Sequence, residues 1–283
     1  MNYLNGKDSV LDKSDIAQRR LVRQEPKGMI DPNGAGRRLR LARYEPHDDL
    51  HDLIEHFWIV EWKIEPGLIE EQRVLPYPNA NLVFESGQSA LFGPVRGAFI
   101  KRLSGSGRAV GVRLRIGSVR TYTDVPMARL VDTSVSPEAL VGDLVDAEEV
   151  ILSAGDDHAM IETVETLLRP RLRKLDATAT WVDEMVRMIA ADPRLLTVEH
   201  LAQRSGRTVR TLQRAFLAYV GLGPKWILRR FRLQEAAYRL AGREPLELVT
   251  LAYELGYCDQ AHLARDFVRH IGQAPASYRR SQT

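Results

Sequence analysis

The chain has 283 residues, 44% hydrophobic and 27% charged, ordinary proportions for a globular protein with room for two domains and their cores. No apolar run reaches the roughly 18 residues that a membrane-spanning helix needs, and the single cysteine, Cys258, excludes an intrachain disulfide and a multi-cysteine metal site. The net charge of +3 hides an asymmetry: from Arg171 onward 19 Lys and Arg stand against 11 Asp and Glu, whereas the remainder has 21 against 26. The basic half carries the footprint of a domain that displaces counterions from phosphates, and the acidic half should face something other than nucleic acid.

Residues 1–36 are polar, mix both signs of charge and are broken by Pro26, Pro32 and the Gly34, Ala35, Gly36 stretch. A short helix from Ser14 to Val22 would have no apolar face wide enough to require packing, so a mobile tail is expected. The opening has no apolar signal core, which predicts a cytoplasmic protein. From Arg40 the pattern changes to strands. His56, Trp58, Val60, Trp62 and Ile64 alternate with Phe57, Ile59, Glu61 and Lys63, a period of two. Further strands fit Arg73 to Leu75, Asn81 to Glu85, Ala90 to Phe92, Ala98 to Leu103 and Ala109 to Ile116, separated by Pro and Gly turns. That spacing predicts a small antiparallel barrel or sandwich. Between Ser136 and Arg169 the period turns helical, and Val164, Leu167 and Leu168 exceed what one barrel face should need, so these helices are expected to form a homodimer. Residues 171–180 read as a polar, basic linker.

From Leu196 two helix-turn-helix patterns follow. In the first, Leu196 to Ala202 is helical, Ser205 and Gly206 turn, and Thr208 caps a second helix that buries Leu212, Ala215, Phe216 and Tyr219 at i, i+3, i+4, i+7. Its opposite face offers Arg210, Gln213, Arg214 and Leu217. In the second, Leu248, Leu251 and Ala252 face inward, Gly256 and Tyr257 break the helix, and Asp259 caps a helix with Leu263, Phe267 and Ile271 inside and Gln260, Ala261, Ala264 and Arg265 outside. Pro224 opens a connecting helix free of Pro and Gly to Ala241, roughly 25 Å long at 1.5 Å per residue, which can hold two recognition helices about one duplex turn apart.

These residues resemble the DNA-binding domain of the AraC/XylS family of bacterial transcription regulators. The likeness runs through Leu201, Ala202, Gly206, Leu212, Gln213, Arg214, Phe216, Gly221, Pro224, Arg232 and Ala236. It continues in the second unit with Leu251, Ala252, Gly256, Tyr257, Asp259, Arg265, Phe267, Gly272, Pro275, Tyr278 and Arg279. Ile227, Tyr257 and Leu263 depart from the family's usual residues but stay apolar or aromatic. The resemblance implies an α+β chain: a cupin-like antiparallel β-barrel with helices over residues 37–170, then an all-α domain of two helix-turn-helix units over 181–283. The sheet half is similar to cupin-like sensor halves in the strand around Phe57 and Trp58, from Leu75 to Phe84, and from Val110 to Arg113.

Thr208, Arg210, Thr211, Gln213 and Arg214 are the first candidates for DNA contact, since Arg can bond guanine O6 and N7, and Gln adenine N6 and N7, in bidentate fashion. Gln260, Ala261, His262, Ala264 and Arg265 form the matching face of the second unit. Two alanines there offer only thymine-methyl contacts, so this unit should anchor phosphate more than it reads bases. Arg229 and Arg230 on the connecting helix are candidate phosphate contacts. The alternative for every one of these positions is a solvated helix face. Trp58 and Trp62, with Arg113 or Arg115 as anchor, are candidate ligand residues, against a plain reading as core and surface. His47, His51 and His56 lack the His-x-His, carboxylate and later His of a metal cupin, so no metal and no cofactor are expected. The expected function is a sequence-specific DNA-binding transcription regulator, activator or repressor, that responds to a small-molecule effector. Its partners would be double-stranded promoter DNA, a second copy of itself and RNA polymerase. A metal-free cupin-type enzyme fused to a DNA-binding domain is the alternative; no Ser/His/Asp or Cys/His constellation supports catalysis. A methyl-accepting DNA-repair regulator is disfavoured because the single cysteine lies inside the helix-turn-helix region.

Overall fold

A computed structural model describes residues 19–22, 30, 39–121, 125–138, 146–171, 173–242, 244 and 246–282. The strands are β1 (Leu39–Tyr44), β2 (Ile54–Lys63), β3 (Glu70–Val74), β4 (Asn81–Glu85), β5 (Ala90–Phe92), β6 (Phe99–Leu103), β7 (Ser106–Leu114) and β8 (Ser134–Val135). Six form one antiparallel sheet in the order β1-β2-β7-β4-β5-β8, while β3 and β6 pair as a separate ribbon. The antiparallel pattern expected from the alternation is present, but among the described residues the ladders stay open instead of closing into a barrel. The short β8, which the sequence pattern did not suggest, ends the sheet at one edge.

The alternation in β2 sorts its side chains. Phe57 and Ile59 are fully buried on one face, with Leu82, Phe84, Leu91, Val110, Val112 and Leu114 from neighbouring strands. Among the described residues three α-helices accompany the sheet: α1 (Met127–Leu130), α2 (Ala147–Ser153) and α3 (Asp157–Leu168). Val164 and Leu168 are 0% exposed and Leu167 packs beside them, all against the sheet core. This corrects the expectation of a dimer face there: covering a six-stranded sheet uses the apolar stripe that seemed surplus. The helix expected to open at Ser136 lies largely in residues 139–145, outside the described residues.

Where it is described, the segment expected to be a mobile tail is packed. Leu21 bridges to Tyr44, Arg19 donates to Glu165 and Glu162, and Ile30 is 4% exposed in a core of the helical half. Single contacts to a strand edge leave no periodicity to read. The remaining helices are α4 (Ala177–Ala191), α5 (Val198–Ser205), α6 (Val209–Tyr219), α7 (Pro224–Ala241), α8 (Leu248–Glu254), α9 (Gln260–Ile271) and α10 (Pro275–Gln282). Asp176 caps α4 by accepting from Ala179 N at 2.8 Å, so the helix begins inside the stretch read as linker.

Two cores build the helical half, and α7 serves both. Its Ile227, Leu228 and Phe231 pack with Val182, Val186 and Ile189 of α4, Leu201 of α5 and Leu212 and Phe216 of α6. Its Leu233, Ala236 and Leu240 pack with Leu251 of α8, Leu263 and Phe267 of α9 and Tyr278 of α10. Each large apolar side chain so buried contributes roughly 1.5–3 kcal/mol, which is why the two units are held rigidly on one helix. Ile116 and Val131 enter the first of these cores and Leu75 the second, so the sheet half completes both.

Candidate nucleic-acid interface

Capping fixes both turns. Gly206 ends α5 in the left-handed region at φ 63°, and Thr208 caps α6 by accepting from Thr211 N at 3.2 Å. In the second unit Gly256 has φ 69° and Asp259 caps α9, accepting from His262 N at 2.6 Å. The first helix of the first unit starts at Val198, two residues later than its sequence pattern suggested, because Thr197 caps it.

The second helix of each unit shows its polar face to solvent. Thr208, Arg210, Gln213 and Arg214 are exposed, Leu217 is 52% exposed, and Thr211 is half-buried at the cap. On α9 Gln260, Ala261, His262 and Arg265 are exposed and Ala264 is half-buried. The His262 ring also stands edge-on to Tyr257, with centroids 5.1 Å apart. Among the described residues, Arg210, Arg214 and Arg265 form no ion pair, which leaves three guanidiniums free to meet phosphate or base edges.

The two candidate arginines of α7, Arg229 and Arg230, behave otherwise. Arg230 is 1% exposed and donates from Nη2 to the carbonyls of Val95, Arg96 and Gly97 in the loop between β5 and β6, while its guanidinium lies over Trp226. Burial pushes its pKa down to about 10. It ties the sheet half to the helical half, which corrects its reading as a phosphate contact. Arg229 pairs bidentately with Asp266 of α9. Asp266 is 4% exposed and also accepts from Tyr257 Oη at 3.1 Å. Burial alone would raise its pKa; the bonds from His270 and Arg229 more than reverse that and hold it below the usual carboxylate range. Asp266 thus locks the second recognition helix to α7. Nothing in the local pattern marked it, because its partner lies 37 residues away.

The candidate ligand residues divide. Trp58 and Trp62 lie on the sheet face away from the first core, their rings where side chains at Gly111 and Gly107 would otherwise be. Arg113 shares that face, opposite His56. Arg115 does not: it donates to His51 O and pairs with Asp183 of α4 at 3.5 Å, so it is a second tie between the halves rather than a ligand anchor. His47, Glu162 and Glu165 bring ligand atoms within 4.8 Å of one another, but Glu165 already accepts from both terminal nitrogens of Arg19 at 2.8 Å and from His47 N at 3.0 Å.

Two capped helix-turn-helix units carried on one long helix, each with an exposed polar recognition face, define a double helix-turn-helix DNA-binding domain. A family model described as a helix-turn-helix domain matches residues 201–281, and one described as a domain of unknown function (DUF6597) matches residues 42–136. Among curated proteins the chain is 35% identical over 79 residues to the HTH-type transcriptional activator RhaS of Pectobacterium carotovorum, covering 28% of each chain. It is 34% identical over 88 residues to the HTH-type transcriptional activator AarP of Providencia stuartii, covering 31% of this chain and 64% of that one. The matches therefore span less than two thirds of these relatives' length. A crystal structure of an AraC-type transcriptional regulator from Chromobacterium violaceum matches at 22% identity and TM-score 0.34, over 36% of this chain and 92% of the other. Residues 201–281 are an AraC-type helix-turn-helix domain. No described helix is long and apolar enough to cross a membrane.

Proposed function

We propose that the protein is a sequence-specific DNA-binding transcription regulator, an activator like the relatives above, whose helical half reads promoter DNA and whose sheet half responds to a small molecule. The observation that carries this reading is the pair of exposed recognition faces on helices locked to α7. Eighteen residues of α7 span about 27 Å, the scale of one duplex turn, so α6 and α9 can enter successive major grooves from one side. Arg210, Gln213 and Arg214 supply three base readers on α6, whereas on α9 Ala261 and Ala264 can offer only methyl contacts at their own positions, which leaves Gln260, His262 and Arg265 as its polar groups. The first unit then carries most of the sequence discrimination. The protein acts in the cytoplasm, where promoter DNA and RNA polymerase are, and the reading does not depend on a second copy of the chain. Selection of bound duplexes from a random library tests it: the recovered pool should share a motif of two blocks about one turn apart. A pool indistinguishable from the input would count against the reading.

A further inference from the structure

The outer face of the six-stranded sheet carries charges that DNA binding does not use. Arg43 of β1 stands opposite Trp58, which stands opposite Gly111; one register step along, His56 stands opposite Arg113, itself opposite Asn81. Directly paired residues share a side of the sheet, so these groups converge. The Trp58 indole occupies the space over Gly111 and donates to Asn81 Oδ1 at 3.2 Å. Arg113 lies over the Tyr77 ring, 4.7 Å from its centroid.

The hydrogen bonding of this face is incomplete. His56 is 2% exposed and its Nε2 has no partner among the described residues; nor have Nε and Nη1 of Arg113, whose side chain is 15% exposed. Among the described residues the carboxylate paired with these groups is Glu55, 3.6 Å from Arg113 Nη1 and 3.7 Å from His56 Nδ1, and its other oxygen accepts from Asn79. Arg43 has no ion pair among the described residues, and burial, with the charge of Arg113, lowers its pKa. Burial likewise pushes His56 down to about 2, so it is neutral at working pH and adds a polar nitrogen, not a third positive charge. Buried donors without acceptors are costly, and native structures keep them where something else supplies the acceptor.

We propose that this face is the effector site and takes a small planar monocarboxylate, its carboxylate held by Arg113 and Arg43 and its flat body lying against Trp58. The inference rests on the reading of the sheet half as the responding half. Two guanidiniums against Glu55 leave one positive charge, which a monoanion balances. The guanidinium fork matches the two oxygens of a carboxylate. Tyr77 connects the site to the DNA-binding half, because the ring under Arg113 also stands edge-on to Phe231 of α7 at 5.2 Å. A ligand that draws Arg113 off that ring changes what packs on the helix carrying both recognition units.

Calorimetric and tryptophan-fluorescence titration of the full chain with benzoate tests the site, with neutral benzamide and inorganic phosphate alongside and salicylate and indole-3-acetate as larger planar carboxylates. At least one carboxylate should bind saturably with a fluorescence change, benzamide and phosphate at least about tenfold more weakly. Arg113→Gln and Arg43→Gln should each lower carboxylate affinity by on the order of tenfold or more. Binding of benzamide or phosphate as tight as benzoate, or no saturable binding by any carboxylate, overturns the proposal. Should Arg113→Gln unfold, the benzoate and benzamide comparison on the unaltered chain decides. DNA titrations on the same preparations separate the two readings: intact sequence preference without carboxylate binding rejects this site alone, whereas absent preference rejects the regulator.

Discussion

Replacing Arg230 by Met distinguishes a tie between the two halves from a DNA contact. The guanidinium is 1% exposed, and Nη2 sits 3.0, 2.5 and 3.1 Å from the carbonyl oxygens of Val95, Arg96 and Gly97. One nitrogen carries two protons, so at most two of these carbonyls are served at full strength at a time. Hydrogen bonds from a charged donor stabilise by about 1.5–3 kcal/mol each, and the cost of burying the cation, visible in its pKa of about 10, offsets part of that. Methionine keeps apolar bulk beside Trp226 but leaves the carbonyls unpaired, for an expected net loss of about 2–3 kcal/mol. Urea unfolding of the variant should show this loss, while the slope of log affinity against log salt on DNA stays unchanged. An unchanged unfolding midpoint with a slope reduced by about one would mean that Arg230 neutralises a phosphate and that the assignment is wrong.

The anchor of the second unit is testable by acid. Because the Asp266 pKa in the fold lies below its ordinary 3.8, the contribution of its ion pair is fully present above that value and is lost as pH falls through the lower folded pKa. Asp266→Asn should therefore cost roughly 3 kcal/mol at pH 7, with the gap to wild type closing below about pH 4; equal stabilities at pH 7 would dismiss the anchor. On the sheet, an added Cβ at Gly111 would come within 2.0 Å of the Trp58 ring. Gly111→Ala should cost about 1–3 kcal/mol by overpacking, and Trp58→Ala in the same chain should recover part of it. Strictly additive losses in that double-mutant cycle would show that the two do not touch.

Local punctuation made much of this architecture legible in the sequence. Pro, Gly and turn residues bracket the strands at Asn81–Glu85 and Ala90–Phe92, and both agree with the reading from alternation. Pro224 and Gly242 bracket α7, while Thr208 and Asp259 marked the starts of α6 and α9 as caps. What stayed hidden depends on partners distant in the chain. A surface arginine and a buried one have the same letter, so the burial of Arg230 against a loop some 135 residues away left no local trace. The same holds for the pair of Arg229 with Asp266 and for the packing of Ile30 beside α10. Hydrophobic excess misled at Val164 and Leu168, since periodicity gives the width of an apolar face but not what covers it. Trp58, Trp62 and Arg113 were picked out by residue type, yet Arg43 and Asn81 join them only through strand register, and Tyr77 through the segment between β3 and β4 that brings its ring under Arg113.

The central claim is that α6 reads bases, and Arg214→Ala measured on a selected duplex and a scrambled one tests it most directly. With the guanidinium exposed and without an ion pair among the described residues, its loss should not disturb the fold, which circular dichroism would verify. On the selected duplex the variant should lose about 1–3 kcal/mol and relax its preference at one or two base pairs, with little change on the scrambled one. Equal weakening on both duplexes would contradict the account and shift base reading to the second unit, around Gln260 and Arg265.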